Sequence, residues 1–216
     1  MNFNYRLRSL LFLALITSAS GAIAATLFSD ALNDLTKYFK AASALVLQAS
    51  IGLDNAKFDT LPAAQRDSAK SQLQDLKGQL DRIFLEQGAL VNQFEFFVKI
   101  ARDPSKTPVE RKTYWDHSVL PQISTVSEAV SQVRTLSDKP GQPFSVALST
   151  DDRLALGDTL AARGAALKTF EKMAPPVSSD ELLQFEGLIN HYKVLRENLR
   201  KLRGAIDEAL RRLSIA

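Results

Sequence analysis

Between Ser178 and Leu213 the apolar residues Phe185, Leu188, Tyr192, Leu195, Leu199, Leu202, Ile206, Ala209 and Leu213 alternate at intervals of three and four. That spacing is a heptad seam and predicts one long helix. Its start is signalled by Ser178 as N-cap, Glu181 three residues on, and Val177 and Leu182 placed for a hydrophobic staple. A helix of this length cannot bury its seam alone, so the rest of the chain is expected to supply partners.

The same alternation marks the earlier segments. Phe28, Leu32, Leu35, Phe39, Ala42, Val46, Ala49 and Leu53 predict a first helix, with Ser29 as its N-cap. Residues 41 to 53 are apolar nearly all round, which predicts burial on more than one side. A second and longest helix is predicted from Pro62 to about Arg102. Its seam is Ala69, Leu73, Leu76, Leu80, Ile83, Gln87, Leu90, Phe94, Phe97 and Ala101, with Gln87 as a core or edge amide. At 1.5 Å per residue this is a rod of about 60 Å.

Thr107-Pro108-Val109-Glu110 is a second capping box with proline at N1. It opens a third helix carrying Trp115, Val119, Ile123, Val126, Val130 and Val133, in which Pro121 predicts a kink or a split. Ser137 to Phe144 reads as a loop. A fourth helix follows from Ser149–Asp152, with a small-residue region at Ala161, Ala162, Gly164, Ala165 and Ala166, and stops at Pro175-Pro176. Small residues there allow close helix approach or leave a groove. The expected fold is all-α: an elongated up-and-down bundle of four to five long antiparallel helices, forming one domain over residues 25–216.

The first 24 residues carry a different pattern. Arg6 and Arg8 precede a short apolar run from Ser9 to Ile16, and Ala22-Ile23-Ala24 places small residues where a signal peptidase reads. This predicts a secretory signal peptide, residues 1–24, and a periplasmic or secreted mature chain. The apolar run is short for a membrane span, so no integral span is expected after cleavage. Losing Arg6 and Arg8 takes the net charge from +3 to about +1, and no nucleic-acid partner is expected. The chain has no cysteine. Stability must therefore come from packed apolar area, and thiol catalysis, thiolate metal sites and c-type haem attachment are excluded.

The pattern offers little catalytic chemistry. Neither His117 nor His191 has an acidic residue three positions before it, as the Glu-x-x-His pair of di-iron bundles requires. There is no His-Glu-x-x-His, no Gly-rich phosphate loop and no Gly-x-Ser-x-Gly. A haem or metal between the histidines, with Met173 as a third ligand, lacks a supporting constellation. No catalytic residue, cofactor or metal is therefore expected.

Two features suit interaction instead. Phe94, Phe96 and Phe97 end the second helix, and Tyr114 and Trp115 begin the third at a similar distance across the turn. A helical hairpin would join them, either as an end layer of the core or as an apolar patch. Phe96 is off the seam, so it must be covered by another helix or exposed. The last helix also carries Lys193, Arg196, Arg200, Lys201, Arg203, Arg211 and Arg212, interleaved with Glu197, Asp207 and Glu208. This is a solvated face or a contact for anionic lipid or an acidic protein.

The expected function is non-catalytic protein–protein interaction in the cell envelope, as an adaptor, chaperone-like factor or inhibitor. The candidate residues are Phe94, Phe96, Phe97, Tyr114, Trp115, Arg196, Arg200, Lys201 and Arg203, on a monomer. The alternative is an apolar small molecule held between the Ala-rich fourth helix and the Phe94/Phe97/Trp115 end.

Overall fold

The computed structural model describes residues 3–87, 90–137, 157, 161, 163–170, 172 and 178–215, with side chains from residue 27 onward except 85–92. The described residues are helical apart from short connectors, with no strand among them. The elements are α1 (Phe3–Asn55), α2 (Ala63–Gln87), α3 (Leu90–Arg102), α4 (Pro108–Tyr114), a π-helical turn (Trp115–Val119), α5 (Leu120–Ser137), helical residues 163–170 (α6) and α7 (Ser179–Ile215).

The heptad pattern is the core. Every seam residue of α7 from Phe185 to Leu213 is buried, and so is every α1 seam residue from Phe28 to Leu53. In α2 and α3 the same holds for Ala69, Leu73, Leu76, Leu80, Ile83, Phe94, Phe97 and Ala101. The side chains of Gln87 and Leu90 lie outside the described residues, as do Val177, Met173 and most of the predicted loop and fourth helix. Ala31, Tyr38 and Leu45 give α1 a second buried stripe at seven-residue spacing, as its all-round apolarity predicts.

Two start signals are as expected. Glu110 N–H donates to Thr107 Oγ1 at 3.2 Å, and Thr107 N–H to Glu110 Oε2 at 2.8 Å. Ser178 and Glu181 make the same reciprocal pair at 3.2 and 3.1 Å. The third differs: α1 is already helical before Ser29, so Ser29 caps nothing. Its hydroxyl instead donates to Gln184 Oε1 at 2.9 Å, on α7. Among the described residues, α1 is the longest helix at 53 residues, ahead of α7 at 37.

Side-chain pairs fix the directions of the rods. Ser29 meets Gln184 and Ser43 meets Asn198, both 155 residues apart, so α1 and α7 run parallel. At this interface the two neighbours are therefore not antiparallel. With five successive rods, the first and fifth point the same way, and here they pack together.

On the other side of α7, Lys77 pairs with Asp207 at 2.5 Å and Asp81 with Arg203, one number rising as the other falls. Arg102 to Glu186 and Glu95 to Lys193 repeat this on α3, at 2.7 and 2.6 Å. These helices are antiparallel to α7. From Asp81 to Glu95 is fourteen residues, whereas from Arg203 to Lys193 is ten. The α3 pairs are therefore displaced by four residues, about one turn, relative to the α2 pairs. α2 and α3 thus meet α7 at two offsets, one turn apart.

The predicted third helix is divided just before Pro121, into α4, a π turn and α5, and helix continues through the proline. Trp115–Val119 form a π turn in which Leu120 N–H reaches back five residues to the Trp115 carbonyl, with αR backbone at both ends. A proline ring collides with the carbonyl four residues before it in a regular α-helix. The wider turn immediately upstream is the local change that lets helix continue through Pro121.

Candidate interaction site

The aromatic end joins α1, α3, α6 and α7. Trp115 is fully buried, with ring centroids 6.0 Å from Phe28 (α1), 4.9 Å from Phe97 (α3), 5.5 Å from Phe170 (α6) and 5.5 Å from Phe185 (α7). Phe94 sits 4.8 Å from Tyr192, whose hydroxyl pKa is raised by burial, partly offset by the charge of Arg196. The tilted and edge-on geometries favour aromatic packing. Phe94, Phe97 and Trp115 are thus core residues in ring-to-ring contact. In the small-residue region Ala166 is buried, whereas Ala161 and Ala165 are exposed.

Phe96 parts company with them. It is 50% exposed, with its ring centroid 5.4 Å from that of Tyr114. Its sequence position explains this: Phe97 points into the core, and the preceding residue lies about 100° round the helix. Tyr114 is half-buried, and its hydroxyl lies 3.4 Å from the Gln93 carbonyl. Burial raises its pKa, partly offset by a hydrogen bond with Ser118. The hairpin is pinned at its turn, where Arg111 Nη2 donates to the Asp103 carbonyl at 3.0 Å.

A shallow groove of about 450 Å³ runs on the other side of α3, against α7. Val98 and Ile189 form its buried floor, and Glu95–Lys193 and Arg102–Glu186 bridge it as two ion pairs. Between those bridges lies exposed Lys99, which is paired with no carboxylate among the described residues.

The basic run on α7 is mostly neutralised within the chain. Arg203 pairs with Asp81 and, at 3.7 Å, with Asp207. Arg200 makes a two-pronged pair with Glu197 at 2.9 and 3.0 Å, and Arg211 does the same with Glu208 at 2.6 and 2.9 Å. Lys193 holds Glu95. Arg196 lies in a shallow pocket with Phe84, and Lys201 is exposed. Arg212 does something the sequence did not suggest. Its guanidinium donates to the carbonyls of Leu53 (2.6 Å), Ala56 (3.0 Å) and Asp54 (3.4 Å), and stacks 4.9 Å over the Phe58 ring. It thereby caps the C-terminal end of α1, where cations are favoured.

The histidines are not brought together. His117 is exposed, with Nδ1 2.9 Å from the Thr113 carbonyl. His191 lies on α7 near Lys40, and burial, then that charge, lowers its pKa. No group of three or more potential metal-ligating side chains occurs among the described residues, and no described helix is long and apolar enough to cross a membrane. Compared with known proteins, the sequence matches no family model, no curated protein and no solved structure.

Proposed function

We propose that this chain is an exported, non-catalytic helical bundle that acts by docking a partner protein in the cell envelope. In this reading residues 1–24 are a cleaved signal peptide, and residues 25–216 form a single elongated, monomeric up-and-down domain in the periplasm or outside the cell. The observation that carries the docking reading is Phe96. It is a large ring half in water, held by half-buried Tyr114, beside the buried rings of Phe94, Phe97 and Trp115. Exposed rings on rigid helices are typical anchors of protein interfaces.

The test is site-specific photo-crosslinking in cells. A photoreactive phenylalanine analogue placed at Phe96 should capture a discrete envelope protein. The same analogue at Ile51, also exposed and near the other end of α1, should not. Equal or absent capture at both positions would reject the docking reading. N-terminal sequencing of the exported chain should begin at Ala25, and an intact Met1 would reject the signal-peptide assignment.

A further inference from the structure

Resting on that docking reading, we propose that the partner segment is an acidic amphipathic peptide laid across α3. One apolar side chain would sit on the Phe96–Tyr114 shelf, a second in the groove floored by Val98 and Ile189, and a carboxylate between them on Lys99.

The argument starts from the placement of three footholds on one short helix. Phe96 and Lys99 are three residues apart, hence neighbours on one face, and both are exposed. Val98 floors the groove on the α7 side, and Lys99 is part of that groove's wall. A helix crossing α3 therefore meets an apolar site, a cation and a second apolar site in turn. Amphipathic helices are read by this kind of anchor spacing.

Charge complementarity selects the class of segment. The groove's two acids are already answered: Glu95 by Lys193 and Glu186 by Arg102. On the α4 side, Glu110 is held by Lys106 and the Thr107 cap, and Asp116 by Lys112 at 2.5 Å. Asp103 accepts from Ser105, and its carboxyl pKa is lowered by that bond and by the charges of Lys106 and Arg111. Among the described residues, Lys99 is a cation in the middle of this surface that no carboxylate pairs. A carboxylate there forms a pair, whereas a lysine is repelled, and this kind of opposition sets specificity.

Area argues against a second copy of this chain as the occupant. A stable dimer buries roughly 800 Å² per partner. One half-exposed ring and a shallow groove are the footprint of a short segment rather than of a permanent subunit interface.

The experiment is fluorescence anisotropy with three labelled amphipathic peptides of about 14 residues, identical in their leucines and carrying Glu, Gln or Lys at the polar positions. The Glu peptide should bind at least about tenfold more tightly than the Lys peptide, and weaken as salt is raised. Lys99→Glu should abolish or invert that preference. Phe96→Ser should weaken the Glu peptide by tenfold or more, with Ile51→Ser, exposed near the far end of α1, as the neutral control. Circular dichroism of each variant separates lost binding from lost fold. Equal binding of all three peptides, no binding of any, or a Glu preference that survives Lys99→Glu would each overturn the proposal. If photo-crosslinking at Phe96 still captures a partner in that case, the docking reading stands and only the acidic class falls.

Discussion

The two flanks of the α7 seam join it to its neighbours by different physics. Towards α1 the stripe Asn198, Ala205 and Arg212 is closed. Asn198 Nδ2 donates inside the core to Ser43 Oγ at 2.7 Å and to the Ser43 carbonyl at 3.1 Å, and Arg212 ends the stripe on backbone carbonyls. Towards α2 and α3 the stripe Glu186, Lys193, Arg203 and Asp207 is a ladder of solvent-facing ion pairs. Both flanks specify register, but at different depth. A buried amide bond is lost at the full cost of stranding its partner, whereas an exposed ion pair contributes about 0–1 kcal/mol. The parallel α1–α7 interface should therefore dominate stability, and the α2–α3 ladder should tune alignment at little energetic cost.

Mutations can break that contrast, from the largest effect downwards. Leu199→Ala removes a fully buried side chain from the seam and should cost about 2–5 kcal/mol in denaturant unfolding. Asn198→Ala strands the buried Ser43 hydroxyl and should cost about 1–3 kcal/mol, while the double change Asn198→Leu with Ser43→Ala should recover much of it. Arg212→Ala uncaps α1 and exposes Phe58, and about 1–2 kcal/mol is expected. Arg203→Ala, on the ladder, should cost under about 1 kcal/mol, less at high salt. A loss at Arg203 equal to that at Asn198 would erase the distinction between the flanks.

The smallest effect is one of pH. The Glu110 carboxyl pKa is lowered, chiefly by the Thr107 N–H and then by Lys106, and that of Asp103 chiefly by Ser105. Groups with depressed folded values contribute stability that is full above their unfolded values, about 4, and is lost as pH falls through the folded ones. Thermal midpoints should therefore drop slightly from pH 5 to pH 3, and Glu110→Gln should flatten that slope.

Much of this was legible in the sequence because heptad spacing and capping boxes are local signals. The seams of α1, α2, α3 and α7, and the caps at Thr107 and Ser178, needed no tertiary information. The pairing of parallel α1 with α7 did not show, because periodicity says which face is buried and not against what. The role of Arg212 was hidden for a related reason. A guanidinium that caps a helix 150-odd residues away looks, in sequence, like one more charge in a basic run. The π turn was missed because Pro121 advertises a break, whereas the compensation lies in the backbone of the residues before it. In the aromatic cluster, Phe96 being off the seam was visible from spacing alone. That it stays half exposed required knowing that no described helix covers it.

Both flanks of α7 are occupied within the chain, and the way they are occupied rests on α1 running parallel to α7. The native chain has no cysteine, so paired spin labels can test this directly. Labels at Leu27→Cys and Leu183→Cys, both exposed, should lie close together at one end of the bundle. Labels at Leu27→Cys and Ile215→Cys should be roughly 45–50 Å apart, from about 32 residues at 1.5 Å each. The reverse result, Leu27 near Ile215 and far from Leu183, would contradict the parallel pair and the account built on it.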